Sequence, residues 1–199
     1  MSNHIKRLKF NVIILGESQV GKSSMISSLQ GEPFEDYSLS TTGIDFFNDT
    51  AEFDGVKYKF KIFDTAGQER FKSISGSTIK VADGFLVVFA ANNRNSFEQV
   101  KYWIHTIEEQ INLENKPIII VANKIDLERE VLHDEGLKYT KSNNLKYYET
   151  SAKTGYNIKE VFHELYSDIY NLKKISLNTS DNNINIKVKK KNDGKSRFC

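Results

Sequence analysis

Gly16-Glu17-Ser18-Gln19-Val20-Gly21-Lys22-Ser23 follows directly on the apolar run Phe10 to Leu15 and fits the pattern G-x-x-x-x-G-K-S. Gathering charged phosphate oxygens requires many hydrogen-bond donors close together. Gly16 and Gly21 let the backbone turn without a clashing Cβ, so that successive N–H groups and the N-terminus of the next helix face one anion. Lys22 would place its ammonium on the β- and γ-phosphate oxygens, and the Ser23 hydroxyl would be one ligand of a Mg²⁺ ion. The stretch therefore predicts a strand, a phosphate-binding loop and a helix in immediate succession, and with them a nucleotide as ligand.

Working outward, Leu8 to Leu15 reads as a buried strand, and Ser24 to Gln30 as a helix ended by Gly31-Glu32-Pro33. Residues 34–44 are polar and without periodicity, a long loop where function rather than packing is expected. Asp45 to Phe53 and Lys57 to Phe63 flank the turn signal Asp54-Gly55; in the second, Tyr58, Phe60 and Ile62 alternate with Lys57, Lys59 and Lys61, a strand wet on one side. Gly84 to Ala91, Ile118 to Ala122 and Lys146 to Glu149 are three more strands. Ser96 followed by Gln99 reads as a capping box, after which Phe97, Val100, Trp103, Ile104, Ile107 and Ile111 keep helical spacing, with Trp103 expected in the core. Asn157 is a candidate cap for a last helix whose apolar face is Ile158, Val161, Phe162, Leu165, Ile169 and Leu172. Alternating strands and helices imply a mainly parallel α/β sheet covered on both faces, the hairpin supplying one antiparallel edge. Ligands of such sheets bind beyond the carboxyl ends of the strands, and every special motif of this chain sits at such an end.

Asp64-Thr65-Ala66-Gly67-Gln68-Glu69 closes the strand after the hairpin. Asp64 can meet Mg²⁺ directly or through water, the Gly67 N–H can approach a γ-phosphate, and Gln68 can orient the attacking water. Asn123-Lys124-Ile125-Asp126 selects the base: one carboxylate accepts from both the ring N1–H and the exocyclic amine of guanine, a pair of donors adenine does not present on that edge. A buried acceptor left unpaired by the wrong base makes this discrimination strong. The Lys124 stem would cover the ring, Asn123 would tie this loop to the phosphate loop, and the Ala152 N–H, in Thr150-Ser151-Ala152-Lys153, would donate to the guanine carbonyl.

Together these four motifs resemble the Ras superfamily of small GTPases over about residues 8–172, and within it the Rab proteins most. The resemblance is carried by Gly16-Glu17-Ser18, by Ser40-Thr41-Thr42-Gly43-Ile44-Asp45-Phe46, and by Asp64 to Phe71 followed by Lys72-Ser73-Ile74. It implies a P-loop G domain with a six-stranded, mainly parallel sheet, one strand antiparallel, and helices on both faces. It also implies a GTP/GDP site made by Ser18, Gln19, Val20, Gly21, Lys22, Ser23 and Ser24, Phe34 stacked edgewise on guanine, Thr41, Gly67, Asn123, Lys124, Asp126, Ser151, Ala152 and Lys153. Magnesium would be held by Ser23, Thr41 and Asp64, with Gln68 and Lys22 catalytic, and residues 34–46 and 65–81 would be switches ordered by GTP. The implied partners are effectors, an exchange factor, a GTPase-activating protein, and the prenylation and GDP-dissociation machinery of Rab proteins, with no nucleic acid. The chain departs from the Rab pattern at Thr78-Ile79-Lys80-Val81-Ala82 in place of Tyr-Tyr-Arg-Gly-Ala, at Phe63 in place of Trp, at Ala90-Ala91-Asn92 in place of Tyr-Asp-x-Thr, and at Gln19. The first three bear on the effector surface; Gln19 bears on the intrinsic hydrolysis rate.

Composition bounds the rest. The 199 residues, 39% hydrophobic with 13 Phe and 9 Tyr, suffice for one cored domain. The expected organisation is an N-terminal tail 1–7, a G domain 8–172 and a disordered basic tail 173–199. Residues 173–199 carry seven Lys and one Arg against two Asp, or +6, so a net charge of +2 leaves −4 on the other residues. The single cysteine, Cys199, excludes a disulfide framework. No run is long enough to span a membrane, Met1 to Lys9 lacks the apolar core of a signal peptide, and Ser2 stands where myristoylation needs Gly, so a protein kept in the cytosol is expected. Rab tails generally end in two prenylated cysteines; one lipid on Cys199 beside a basic tail still supplies two membrane-anchoring signals. The expectation is a GTP-hydrolysing switch of vesicle-mediated transport, shared between the cytosol and the cytosolic face of an internal membrane. The rivals are a GTP-binding scaffold with negligible hydrolysis, a Ras-like signalling GTPase, and a P-loop ATPase or nucleotide kinase, which Asp126 opposes.

Overall fold

The computed structural model describes residues 9–35, 44–65, 76–112 and 116–192, without the side chains of Ile44 and of 176–192. Its elements are β1 (Lys9–Leu15), α1 (Lys22–Gln30), β2 (Ile44–Phe53), β3 (Val56–Thr65), α2 (Gly76–Val81), β4 (Gly84–Ala90), α3 (Arg94–Glu98), α4 (Val100–Glu108), β5 (Ile118–Asn123), α5 (His133–Ser142), β6 (Lys146–Glu149) and α6 (Ile158–Asn192). The strands form one sheet in the order β2-β3-β1-β4-β5-β6. Among the described strands only the β2–β3 pair is antiparallel; β3, β1, β4, β5 and β6 run parallel. The Asp54-Gly55 turn joins β2 and β3 with φ of 51° and 74°, both positive as a two-residue hairpin turn requires.

The alternation of side chains along each strand sorts the core into two layers. On one face Val12, Ile14, Leu86, Val88, Ile119 and Val121 meet α1 and α6; on the other Ile13, Leu15, Phe85, Val87, Phe89 and Ile120 meet α2, α4 and the rest. β4 is buried at every residue because it has a strand on either side and helices above and below. In α6, Ile158, Val161, Phe162, Leu165 and Ile169 are all buried, each contributing about 2 kcal/mol of transfer free energy. Tyr166 stacks on Phe60 with ring centroids 3.8 Å apart and donates to Asp49.

Two local expectations need correction. Ser96 does not open a capping box: the helix begins two residues earlier, where the Asn93 side chain accepts from Ser96 N–H, and the buried Ser96 hydroxyl is used on the Ala90 and Asn93 backbone. Asn157 directly precedes α6, yet its amide donates to the Glu149 carbonyl and its own φ is +54°. α6 runs on to Asn192, past Lys173, where the basic tail is expected to begin. Extending a helix already docked by its apolar face adds one backbone bond for each residue ordered. Lys173 and Lys174 also find carboxylates, Asp83 at 3.0 Å and Asp54 at 2.5 Å. Trp103 is core, as expected, at 2% exposure.

Candidate functional site

Parallel pairing brings the ends of β1, β3, β4, β5 and β6 to one edge, and the loops that leave them face each other. At the end of β1, Gly16 (φ +143°) lies so close to β4 that a Cβ would stand 2.1 Å from the Val88 carbonyl oxygen. Gly21 (φ +94°) directly precedes α1, and a Cβ there would meet Asn123 Nδ2 at 2.4 Å. Both positions demand glycine through conformation and space together. Between them Gln19 holds φ +62°, a left-handed backbone that a non-glycine side chain adopts only when its surroundings impose it. Val20 is buried, while Ser18 and Ser24 are half-buried at the loop's two ends.

Lys22, 6% exposed, curls back over this loop and donates to the Gly16 carbonyl (2.9 Å) and the Glu17 carbonyl (2.7 Å). Two of its three N–H donors are so engaged, which leaves one for an incoming anion. Burial pushes its pKa down to about 8, against the pull of Asp64 and Glu17. Ser23 donates to Asp64 Oδ2 at 2.5 Å, because the β1–β3 register places Asp64 beside Ile14 and its carboxylate next to the first turn of α1. A hydroxyl and a carboxylate oxygen side by side are the hard donors magnesium takes, so these residues fit that ion. Among the described residues no group of three or more His, Cys, Asp or Glu is placed to hold a metal. A magnesium completed by phosphate oxygens and water needs no such group.

Asn123 joins the site together. Fully buried, it donates from Nδ2 to the Val20 carbonyl (2.9 Å) and accepts at Oδ1 from Thr150 Oγ1 (3.2 Å) and Ala152 N–H (3.1 Å). One side chain thus ties the phosphate loop to the loops after β5 and β6. The Ala152 N–H, expected to face a guanine carbonyl, is here engaged by Asn123. Lys124 takes φ +64°, its stem passes within 3.8 Å of a Cβ built on Gly21, and burial lowers its pKa. Asp126 is exposed and accepts at Oδ1 from the buried Ser151 hydroxyl at 2.5 Å, while Ser151 Oγ accepts from Thr154 N–H. Phe34, 41% exposed, has Lys153 Nζ 5.7 Å from its ring centroid. Phe34 shares with Ser23, Ser24 and Ala152 a pocket of about 280 Å³. Thr41, Gly67, Gln68 and Cys199 lie outside the described residues.

Some contributors were not singled out from the sequence. Thr150, adjacent to Ser151, bonds Asn123 directly. Behind it Glu149 receives a bidentate pair from Arg129 at 2.8 and 2.9 Å and a further bond from His133 at 3.0 Å, locking the chain after Asp126 to the strand before Ser151. Burial raises the Glu149 pKa, and the bonds from Arg129, His133 and Tyr147 outweigh it, so the net shift is downward. Nothing in the spacing of Arg129 and Glu149 announces the pair; it is a product of folding.

A phosphate loop beside a hydroxyl–carboxylate pair, and a carboxylate held by Ser151 on the neighbouring loop, agree with the model of the Ras family, which matches residues 11–171. The chain belongs to the Ras family. It is 36% identical over 176 residues to human Ras-related protein Rab-8B, covering 87% of this chain and 84% of that one. Ras-related protein Rab-10 of Diplobatis ommata is 37% identical over 164 residues, 81% of this chain and 82% of its own. Ras-related protein Rab-1D of Dictyostelium discoideum is 35% identical over 195 residues, 96% and 95% respectively. This Rab-like small GTPase binds GTP and GDP, hydrolyses the one to the other, and is of the class that serves vesicle-mediated transport.

Proposed function

We propose that guanine nucleotide lies across the four loops with its phosphates on residues 18–24 and its base between the Lys124 stem and Phe34, read by Asp126. The observation that carries this is the Asn123 side chain, which holds the phosphate loop and both base-side loops in one rigid frame. Magnesium would be held by Ser23 and Asp64, with Thr41 joining from the first switch, and would supply neutralisation of charge building on the β- and γ-phosphates. Lys22 and the backbone donors of the loop take up the remaining charge, and Gln68 orients water in line. Turnover of this kind is positional and electrostatic, so it is slow until a GTPase-activating protein completes the site. Effectors and an exchange factor would meet residues 34–46 and 65–81.

Asp126→Asn tests the base assignment. An amide presents one donor and one acceptor, which suits the carbonyl and N1–H of xanthine and mismatches guanine. We expect GDP affinity to fall by at least about two orders of magnitude, two charge-assisted hydrogen bonds to the base being lost, while xanthosine diphosphate gains. Equal displacement of labelled GDP by ATP and GTP from the native protein would end the reading.

Membrane attachment would come from a lipid on Cys199 beside the tail's +6 charge, and would divide the protein between the cytosol and the cytosolic face of an internal membrane through the Rab prenylation and GDP-dissociation machinery. Among the described residues no helix is long and apolar enough to cross a membrane. The intact mass of the protein from its own cells, compared with Cys199→Ser, should differ by one isoprenoid beyond the substitution; identical unmodified masses would remove the anchor.

A further inference from the structure

The β2–β3 hairpin sorts its charges. The register Asn48↔Lys61, Thr50↔Lys59 and Glu52↔Lys57 puts Lys57, Lys59 and Lys61 on the sheet face away from α6, and the β1–β3 register adds Lys9 beside Lys59. The hairpin's acids go the other way: Asp49 accepts from Tyr166 and Asp54 from Tyr170 and Lys174, all on α6. Of the acidic side chains on these three strands, Glu52 alone shares the lysine face. Lys9, Lys57 and Lys59 are exposed, and among the described residues none of the four lysines is in an ion pair. At the far end the Lys61 ammonium stands 3.9 Å over the ring of Phe46, which is 59% exposed, and 4.8 Å over that of its cross-strand neighbour Phe63.

Lys9 and Lys59, side by side on neighbouring strands, oppose folding, and of the three β3 lysines only Lys57 has an acid, Glu52, opposite it, so strand pairing does not account for this face. It is also out of keeping with residues 1–172, which sum to −4. We propose that the ladder is a docking surface for an extended acidic segment of a partner protein, its carboxylates on Lys57, Lys59 and Lys61 and one apolar side chain against Phe46. Lysines at every second residue of a strand recur about every 6.8 Å, which is the repeat of alternate side chains in any extended chain. A layer of lipid headgroups has no such repeat. The lysines stand apart from the nucleotide site on the face of the sheet away from α6; only the apolar contact, at Phe46, rests on the reading that residues 34–46 meet partner proteins.

The test uses the full chain saturated with GDP and a short fluorescein-labelled peptide alternating Glu with Thr around one central Leu, followed by anisotropy at low salt. The Lys57→Gln, Lys59→Gln, Lys61→Gln variant should bind about tenfold or more weakly, three partly exposed pairs being lost. The same three changed to Arg should keep binding. A control with Lys101→Gln, Lys138→Gln and Lys141→Gln, equal in charge but elsewhere, should match the native protein. Raising salt to about 0.3 M should weaken the native complex and leave the Gln variant little changed. Its melting temperature should equal or exceed the native one, since mutual repulsion has been removed. An equal loss in the control, binding indifferent to all variants, no peptide binding at all, or ladder-dependent sedimentation with phosphatidylserine vesicles in place of peptide binding would each overturn the proposal.

Discussion

Lys22 shows how one residue reports the state of the site. Its folded pKa is held below the unfolded value, so below about pH 8 the cation is buried at full cost, about 3 kcal/mol by linkage. Between about pH 8 and 10.5 the native state releases the proton first, and this group then makes stability rise with pH. A bound phosphate reverses the balance by favouring the ammonium. Nucleotide binding near pH 8.5 should therefore take up a fraction of a proton, visible by calorimetry in buffers of different ionisation enthalpy, and Lys22→Met should abolish the uptake together with the affinity. Lys22 itself was legible in the sequence, because phosphate chemistry demands an ammonium after Gly21. Its burial and its two bonds to loop carbonyls were not, since they depend on where the loop carries the side chain.

Elements position these residues through their ends. α1 can begin at Lys22 because Gly21 accepts a left-handed backbone against Asn123. α5 went unrecognised in the sequence because Leu132 stands where a capping Ser or Asp is expected. Its first turn is instead secured by Glu135, which accepts from Leu132 N–H and takes both guanidinium nitrogens of Arg94. The Arg94 bonds, with the Leu132 N–H, hold the Glu135 carboxyl down to about 2. The sign follows: a depressed folded pKa lends stability that is complete above the ordinary carboxylate range near 4.5 and is lost as pH falls toward 2. Glu135→Gln should flatten the pH dependence of stability in that window, read as a smaller difference between urea midpoints at the two ends. A native-like slope in the variant would show that α5 docks without this pair.

At the scale of the molecule, the folded state and the nucleotide site are linked, because the loops meet only when β1, β3, β5 and β6 are in register. Anything that binds that arrangement stabilises it, by about 4 kcal/mol at a ligand concentration a thousandfold above its Kd. Thermal denaturation with GDP and magnesium should shift upward by several degrees, with ADP not at all. Chelating magnesium should reduce the shift, and an unchanged shift would mean that Ser23 and Asp64 hold no metal. The chain alone determined the fold class, the order of strands and turns and the phosphate loop, because glycine spacing, alternation and the Asp54-Gly55 turn act over a few neighbouring residues. Only the tertiary structure decided that Asn123 spends its oxygen on Ala152, that Arg129 and Glu149 clamp the two base-side loops, that α6 runs on to Asn192, and that the hairpin's lysines and aspartates part company. Each of these depends on partners some twenty to more than a hundred residues apart, or on a helix held by distant contacts, and no local pattern encodes which buried polar group a folded neighbour will satisfy.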